Sequence, residues 1–379
     1  MVVVGLLYNH NGMATWCLEV AYALHNDGQE VLLIIDKQQR PDLLNNNFPF
    51  KTYFWSFEVS PHKKNIIQKV WTVYDNYFKH ESPRFAFLLE NKLKSDGIVP
   101  NLFLLNQSDL HDNRCKIPQF VVAWAFPCTL FGYLKKSTRQ SATFFSLKSF
   151  ISILNAITWY KKDWAAYKRS TQVLGVSQKI VDHLQRSNIK ADLLFPPLNV
   201  NLNSEIKHEI KKVKVLFIAL DLENPQKRIE WAIRALSEFK ELINIEIHFI
   251  GSYTYLKDLA LGLGLNGIFY GNLPRNKVKE IMEECDLLVF CSSFDDWGYV
   301  QVEAMAMGMA VISPLISPCD EIIGNPELLF QANNKKSFLK CFGKTVDKNN
   351  LLQYKEYCKN RSHLFSHESF LKKLKMITG

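Results

Sequence analysis

The chain has 379 residues, more than a single hydrophobic core usually supports, so two domains are expected. Its 47% hydrophobic and 22% charged content is that of a soluble globular protein and excludes a disordered or fibrous chain. The net charge of +9 favours an anionic partner such as a nucleotide, a nucleic acid or an acidic membrane surface, and a merely solubilising surface fits equally.

In chain order, VVVGLL is a short apolar run that ends in a polar turn, Tyr8 to Gly12. A segment of helical period follows, Ala14 to Asn26, then Gly28 and a second apolar run, Val31 to Ile35. This is one βαβ unit and implies a parallel sheet. Residues 60–170 mix aromatic and helical signals. Strands are expected at FVVAW (120–124) and VLGVS (173–177), with Ser177 capping a helix that starts at Gln178. FPPLNVNLNSEIKHEIKK (195–212) reads as a linker.

After the linker the alternation restarts. Strands are expected at 213–219, 245–252, 268–272, 286–293 and 310–314, and helices at 229–242, 255–263 and 277–285. A further helix runs from about Gly298 to Met307 and stops at Gly308. The closing segment, 351–378, is helical and long enough to cross back onto the first domain. The expected division is 1–205 and 206–351, with 352–379 rejoining the first domain. Alternation at this spacing predicts α/β architecture with a doubly wound parallel sheet in each domain and a cleft between them.

The eight cysteines show no CxxC pair and no zinc-type spacing, which fits reduced thiols in the cytoplasm. The N-terminus lacks the features of a signal peptide, and no apolar run approaches a membrane span. The lysine pairs are scattered, which argues against one nucleic-acid stripe. Residues 147–170 mix aromatics with lysines, as interfacial helices do, and a core helix explains them equally well.

Residues 294–308, FDDWGYVQVEAMAMG, carry the chemistry. A carboxylate is costly in an apolar helix unless it has a partner, yet Glu303 stands in VEAMAMGMAVI with no other charge. The helix starts after a strand at the carboxyl edge of its sheet, where backbone amides and the helix dipole suit a phosphate. Asp295 and Glu303 are eight residues apart, at most about 12 Å along a helical path, and flank that anion site. An ionised carboxylate only accepts hydrogen bonds, so each acid suits a hydroxyl group. A ligand with sugar hydroxyls, a diphosphate and ribose hydroxyls fits this order; a solvated Glu303 on an ordinary amphipathic helix is the alternative.

This stretch resembles the signature of retaining glycosyltransferases of the GT-B fold, family 4 in particular, E-G-F-G-x-x-x-x-E-A-M-A-x-G-x-P-V-I. Asp295 stands for the first acid, Trp297-Gly298 for Phe-Gly, Glu303 to Ala306 and Gly308 are intact, and Ala310 replaces the proline. The likeness covers residues 213–330 well, the N-terminal βαβ plausibly and residues 40–120 hardly at all. It implies two Rossmann-like domains facing a central cleft, with the donor mostly on the second and the acceptor on the first.

By the same resemblance, Asp295 contacts the donor sugar, Glu303 the ribose, and the backbone at Gly298, Tyr299 and Val300 the phosphates. Lys227, in NPQKRIEWAIRAL, stands at the family's basic position and would neutralise the leaving diphosphate, with Arg228 beside it. A solvated lysine at a helix start is the alternative. Gly12 resembles the family's glycine loop, although a lone glycine also suits a plain turn. Base contacts fall on backbone around Gly251 and from Gly271 to Leu273.

Two departures stand out. Ala219-Leu220 replace the expected Gly-Arg, and VVAWAFPCTLFGYLKK offers Trp124 and Phe126 where a histidine is usual. The implied activity is hexosyl transfer from a nucleotide-sugar, UDP- or GDP-linked, to a glycan or lipid-linked acceptor in polysaccharide or glycoconjugate biosynthesis. No metal and no separate cofactor are expected, nor any nucleic acid. The expected location is cytoplasmic, with peripheral membrane contact through 147–170. A non-catalytic nucleotide-sugar-binding protein and an epimerase on the same fold are the rivals.

Overall fold

The computed structural model describes residues 1–7, 12–55, 85–106, 110–124, 157, 160–161, 163–199, 206, 210–239 and 244–379. It forms two compact units, Met1–Pro197 with Phe370–Gly379, and Leu198–Ser369. The expected junction near 205 and return at 352 compare with Pro197/Leu198 and Phe370.

The first unit holds a parallel sheet of β1 (Val2–Leu7), β2 (Val31–Asp36), β3 (Lys51–Trp55), β4 (Leu102–Leu105), β5 (Gln119–Ala123), β6 (Gln172–Gly175) and β7 (Ala191–Leu193). The strand order is β3-β2-β1-β4-β5-β6-β7. Strands β2, β5 and β6 are buried along their whole length, which is why they read as apolar runs with no alternation. The helix Gly12–Asn26 connects β1 to β2, and Ser177 caps the helix Gln178–Arg186 by accepting from the Ile180 amide. The last ten residues of the chain belong to this unit, where Lys375 pairs with Asp27 at 2.7 Å.

The second unit repeats the plan with β8 (Val213–Asp221), β9 (Ile245–Ser252), β10 (Gly267–Phe269), β11 (Leu287–Val289), β12 (Ala310–Pro314) and β13 (Leu329–Phe330). Their order, β10-β9-β8-β11-β12-β13, is that of a doubly wound sheet, and every pairing is parallel. The order reverses between β8 and β11, which leaves a crevice outside the carboxyl ends of these two strands.

Several elements differ from expectation, and the strand expected over 268–272 is only Gly267–Phe269. The strand expected over 286–293 is only Leu287–Val289. Beyond it Ser293 turns its amide away from the sheet to the Gln226 carbonyl, 2.8 Å away, so the backbone serves a loop. The helix expected to reach 242 ends at Leu236, where Ser237 and Phe239 form turns. The closing segment is broken into helices Lys348–Ser362 and His367–Thr378 by a 3₁₀ turn at His363–Phe365.

Candidate functional site

The loops after β8 and β11 are stitched together at the crevice. Gln226 Nε2 donates to the Phe294 carbonyl at 2.8 Å, and the Cys291 thiol donates to the Lys227 carbonyl at 3.1 Å. This brings Lys227 to Asp295, with Nζ 2.8 Å from Oδ2. The Lys227 side chain is 30% exposed and that of Asp295 18%, so the pair is half-buried but open to a ligand. The ammonium also lies 5.9 Å from the centre of the Phe290 ring.

Gly298 precedes the helix Tyr299–Ala306 with φ +87, a left-handed conformation that an L side chain resists. The helix has no side-chain N-cap. It ends in a paired turn: Met309 N–H donates to the Ala304 carbonyl and Gly308 N–H to that of Met305, with φ +80 at Gly308. Ala304, Met305 and Ala306 are buried, while Tyr299, Val300 and Glu303 are partly exposed along one side. Glu303 accepts from Arg275 at 3.3 Å, but the Arg275 side chain is 77% exposed. That pair is therefore weak.

Arg228 has φ +57, a left-handed conformation ordinarily taken by glycine. Its guanidinium rests 4.8 Å from the centre of the Trp231 ring. Gly271 has φ +70, and its carbonyl accepts from Gly251 N–H, joining the end of β9 to the loop after β10; Leu273 follows in the same loop, half-buried. Gly12 opens the first helix of the other unit and is exposed. Leu220, at the position of the missing arginine, is 86% exposed at the end of β8.

Trp124 is committed to the first unit's core: it donates to the Asn106 carbonyl at 2.7 Å and meets Trp16 edge-on. The turn residues 8–11, Phe126 and, of the stretch 147–170, residues 147–156, 158, 159 and 162 lie outside the described residues. Asn106 opens an Asn-Gln-Ser sequence of the kind that accepts N-linked glycans, but it is buried and its amide is occupied by the Leu6 backbone, so it presents no acceptor.

Sequence reasoning missed Glu223. Its carboxylate accepts from the amides of Thr254, Tyr255 and Leu256 and from the Thr254 hydroxyl, tying the loop after β8 to that after β9. Burial pushes this carboxyl up, but the hydrogen bonds from Thr254, Leu256 and Tyr255 together outweigh it and hold it at about 2. The signal available was weak, since an acid after a strand has no fixed spacing to its partners.

The described cysteines are buried and unpaired. Burial pushes the Cys291 thiol up to about 12, against the downward pull of Arg228 and Lys227, so it offers no thiolate nucleophile. Among the described residues no cluster of His, Cys, Asp or Glu is placed to hold a metal ion, and no helix is long and apolar enough to cross a membrane.

Residues 202–361 match the family described as glycosyl transferases group 1. An uncharacterised glycosyltransferase of Methanocaldococcus jannaschii is 33% identical over 103 residues, a match spanning 26% of this chain and 26% of that protein. The structure of sucrose-phosphate synthase from Thermosynechococcus elongatus superposes with a TM-score of 0.73 at 14% identity, covering 100% of this chain and 98% of that one. Anabaena HepE, solved with UDP and glucose, gives 0.64 at 14% identity over 100% and 99% of the two chains. The fold is GT-B, with two Rossmann-like α/β units.

Proposed function

We propose that this chain, whose residues 202–361 carry a glycosyl transferases group 1 domain, is a retaining glycosyltransferase. It moves a hexose from a UDP- or GDP-sugar to a glycan or lipid-linked acceptor in polysaccharide or glycoconjugate biosynthesis. The reading rests on one observation: the Lys227–Asp295 pair stands at the switch point of the second sheet, one turn before the helix Tyr299–Ala306.

A lysine ammonium has three donors. Asp295 takes one, which leaves Lys227 able to meet the diphosphate where charge grows as the sugar departs. The first-turn amides at Gly298, Tyr299 and Val300 serve the same phosphates. Asp295 Oδ1 accepts from a sugar hydroxyl and Glu303 from the ribose. Backbone near Gly251 and Gly271 to Leu273 faces the base. The UDP and glucose held by HepE on the same fold support this donor class.

Transfer breaks the bond between the anomeric carbon and the β-phosphate oxygen. A bond to an acceptor hydroxyl oxygen forms on the same face, and the hydroxyl proton passes to the departing phosphate. No protein nucleophile is needed, and Lys227 with the helix start takes the part a divalent ion would play. A cytoplasmic location, with peripheral membrane contact through 147–170, completes the reading.

The test is calorimetric titration of UDP, GDP and ADP, without metal, into the wild type and Glu303→Ala. Binding of one nucleotide that weakens by roughly 1–3 kcal/mol in the variant supports the reading. A wild type that binds none of the three overturns it. The exposed Leu220 in place of arginine favours a second reading, a binding protein without turnover. Nucleotide binding with no transfer to any acceptor would select that one.

A further inference from the structure

Gln301 has no part in the chemistry above, yet it stands in the first turn of the helix Tyr299–Ala306. It is fully buried, and among the described residues neither amide atom of its side chain has a nitrogen or oxygen hydrogen-bond partner. Buried side-chain amides are nearly always paired, so this position asks for an explanation. Its neighbours Val302, Ala304 and Met305 are apolar and equally buried, and an apolar side chain at 301 would avoid the cost of the stranded amide.

The amide sits beneath the turn that starts the helix. A Cβ placed on Gly298 would stand 2.5 Å from Gln301 Nε2. On its other side is Cys319, the first residue of the helix Cys319–Ile323, which follows the loop leaving the carboxyl end of β12. Burial and the Asp295 charge push that thiol up, and hydrogen bonding by the Gln301 side chain pulls it down, so the amide has at most a weak contact with this sulfur, which itself lies within the field of Asp295. Gln301 thus lies between the Trp297–Gly298 turn after β11 and the Ser317–Cys319 loop after β12, two neighbouring segments on the ligand-binding edge of the sheet.

We propose that Gln301 is a positioning residue of the donor site: a nucleoside diphosphate sugar draws the Gly298 turn and the Ser317–Cys319 loop together, and the carboxamide then gains the hydrogen bonds it lacks in the free protein. The proposal rests on the donor-site reading of the preceding section. It accounts for a buried amide kept where leucine or valine would pack, because its partners arrive only with the ligand. It also separates two quantities that a packing residue keeps together, the stability of the free protein and the affinity for nucleotide.

The test uses the full chain as wild type, Gln301→Leu and Gln301→Met, with UDP and GDP as probes. Melting is followed without ligand, and binding by calorimetry. Expected are variants that melt at or above the wild-type midpoint and bind the preferred nucleotide about tenfold more weakly, the loss of about one hydrogen bond. Variants that melt lower and bind as tightly as the wild type overturn the proposal, and so do variants unchanged in both. Lower melting with a parallel loss of binding also overturns it, since Gln301 then only holds the fold. A wild type that binds neither UDP nor GDP removes the donor-site reading and this proposal with it, whereas equal binding by wild type and variants removes this proposal alone.

Discussion

Lys227 Nζ lies 2.8 Å from the Asp295 carboxylate, a contact between residues 68 positions apart that closes across the ends of β8 and β11. Either side chain alone is an ordinary charged residue at the end of a strand. Together they place a shared cation and an acceptor beside the start of a helix, the arrangement that the proposed donor site calls for.

Lys227→Met removes the ammonium proposed to meet the developing phosphate charge. Turnover of the preferred nucleotide-sugar is expected to fall by about 10²–10³-fold, the usual cost of losing one such donor. Asp295→Asn is expected to fall as well, and the double variant by less than the product of the two, because the residues share one interaction. Steady-state rates for the four proteins check this; strictly multiplicative losses would show that the pair acts as two separate residues.

Arg275→Ala is expected to leave the melting midpoint nearly unchanged, since an ion pair whose arginine is 77% exposed is worth roughly 0–1 kcal/mol. A drop of several degrees in thermal melting would mean that Arg275 holds more than Glu303.

Glu223 gives an acid-sensitive contribution to stability. Its carboxyl is held at about 2, below the ordinary glutamate value of about 4.5, so its contribution is complete above about 4.5 and is lost as the pH falls toward 2. Glu223→Gln is expected to lower the neutral-pH midpoint by about 2–4 °C and to flatten the acid side of the melting profile over that window. A variant whose profile parallels the wild type between these limits contradicts the assignment.

Lys355 and Asp286 form a buried pair at 2.7 Å, with side chains 3% and 8% exposed, and the other Asp286 oxygen accepts from the Lys214 amide. The pair ties the helix Lys348–Ser362 to the sheet at the start of β11. Lys355→Met strands the carboxylate and is expected to cost about 3–5 kcal/mol, while adding Asp286→Leu recovers part of it, since an apolar pair has no charge to bury. Denaturant unfolding of the single and double variants checks the order.

The chain's alternation of apolar runs and helical segments was enough to specify two doubly wound units, because strands buried on both faces cannot carry polar residues at every second position. The helix at Tyr299–Ala306 was legible for the same local reasons: Gly298 and Gly308 bracket it, and its small residues allow burial. The acids Asp295 and Glu303 were found because a charge in an apolar setting breaks the expected pattern. That Lys227 reaches Asp295 depended on how two loops 68 residues apart bond to one another through Gln226, Ser293 and Phe294, which no periodicity records. The Glu223 clasp and the stranded Gln301 amide are of the same kind. Local preference set the elements, and the strand order, with its reversal between β8 and β11, decided which side chains meet.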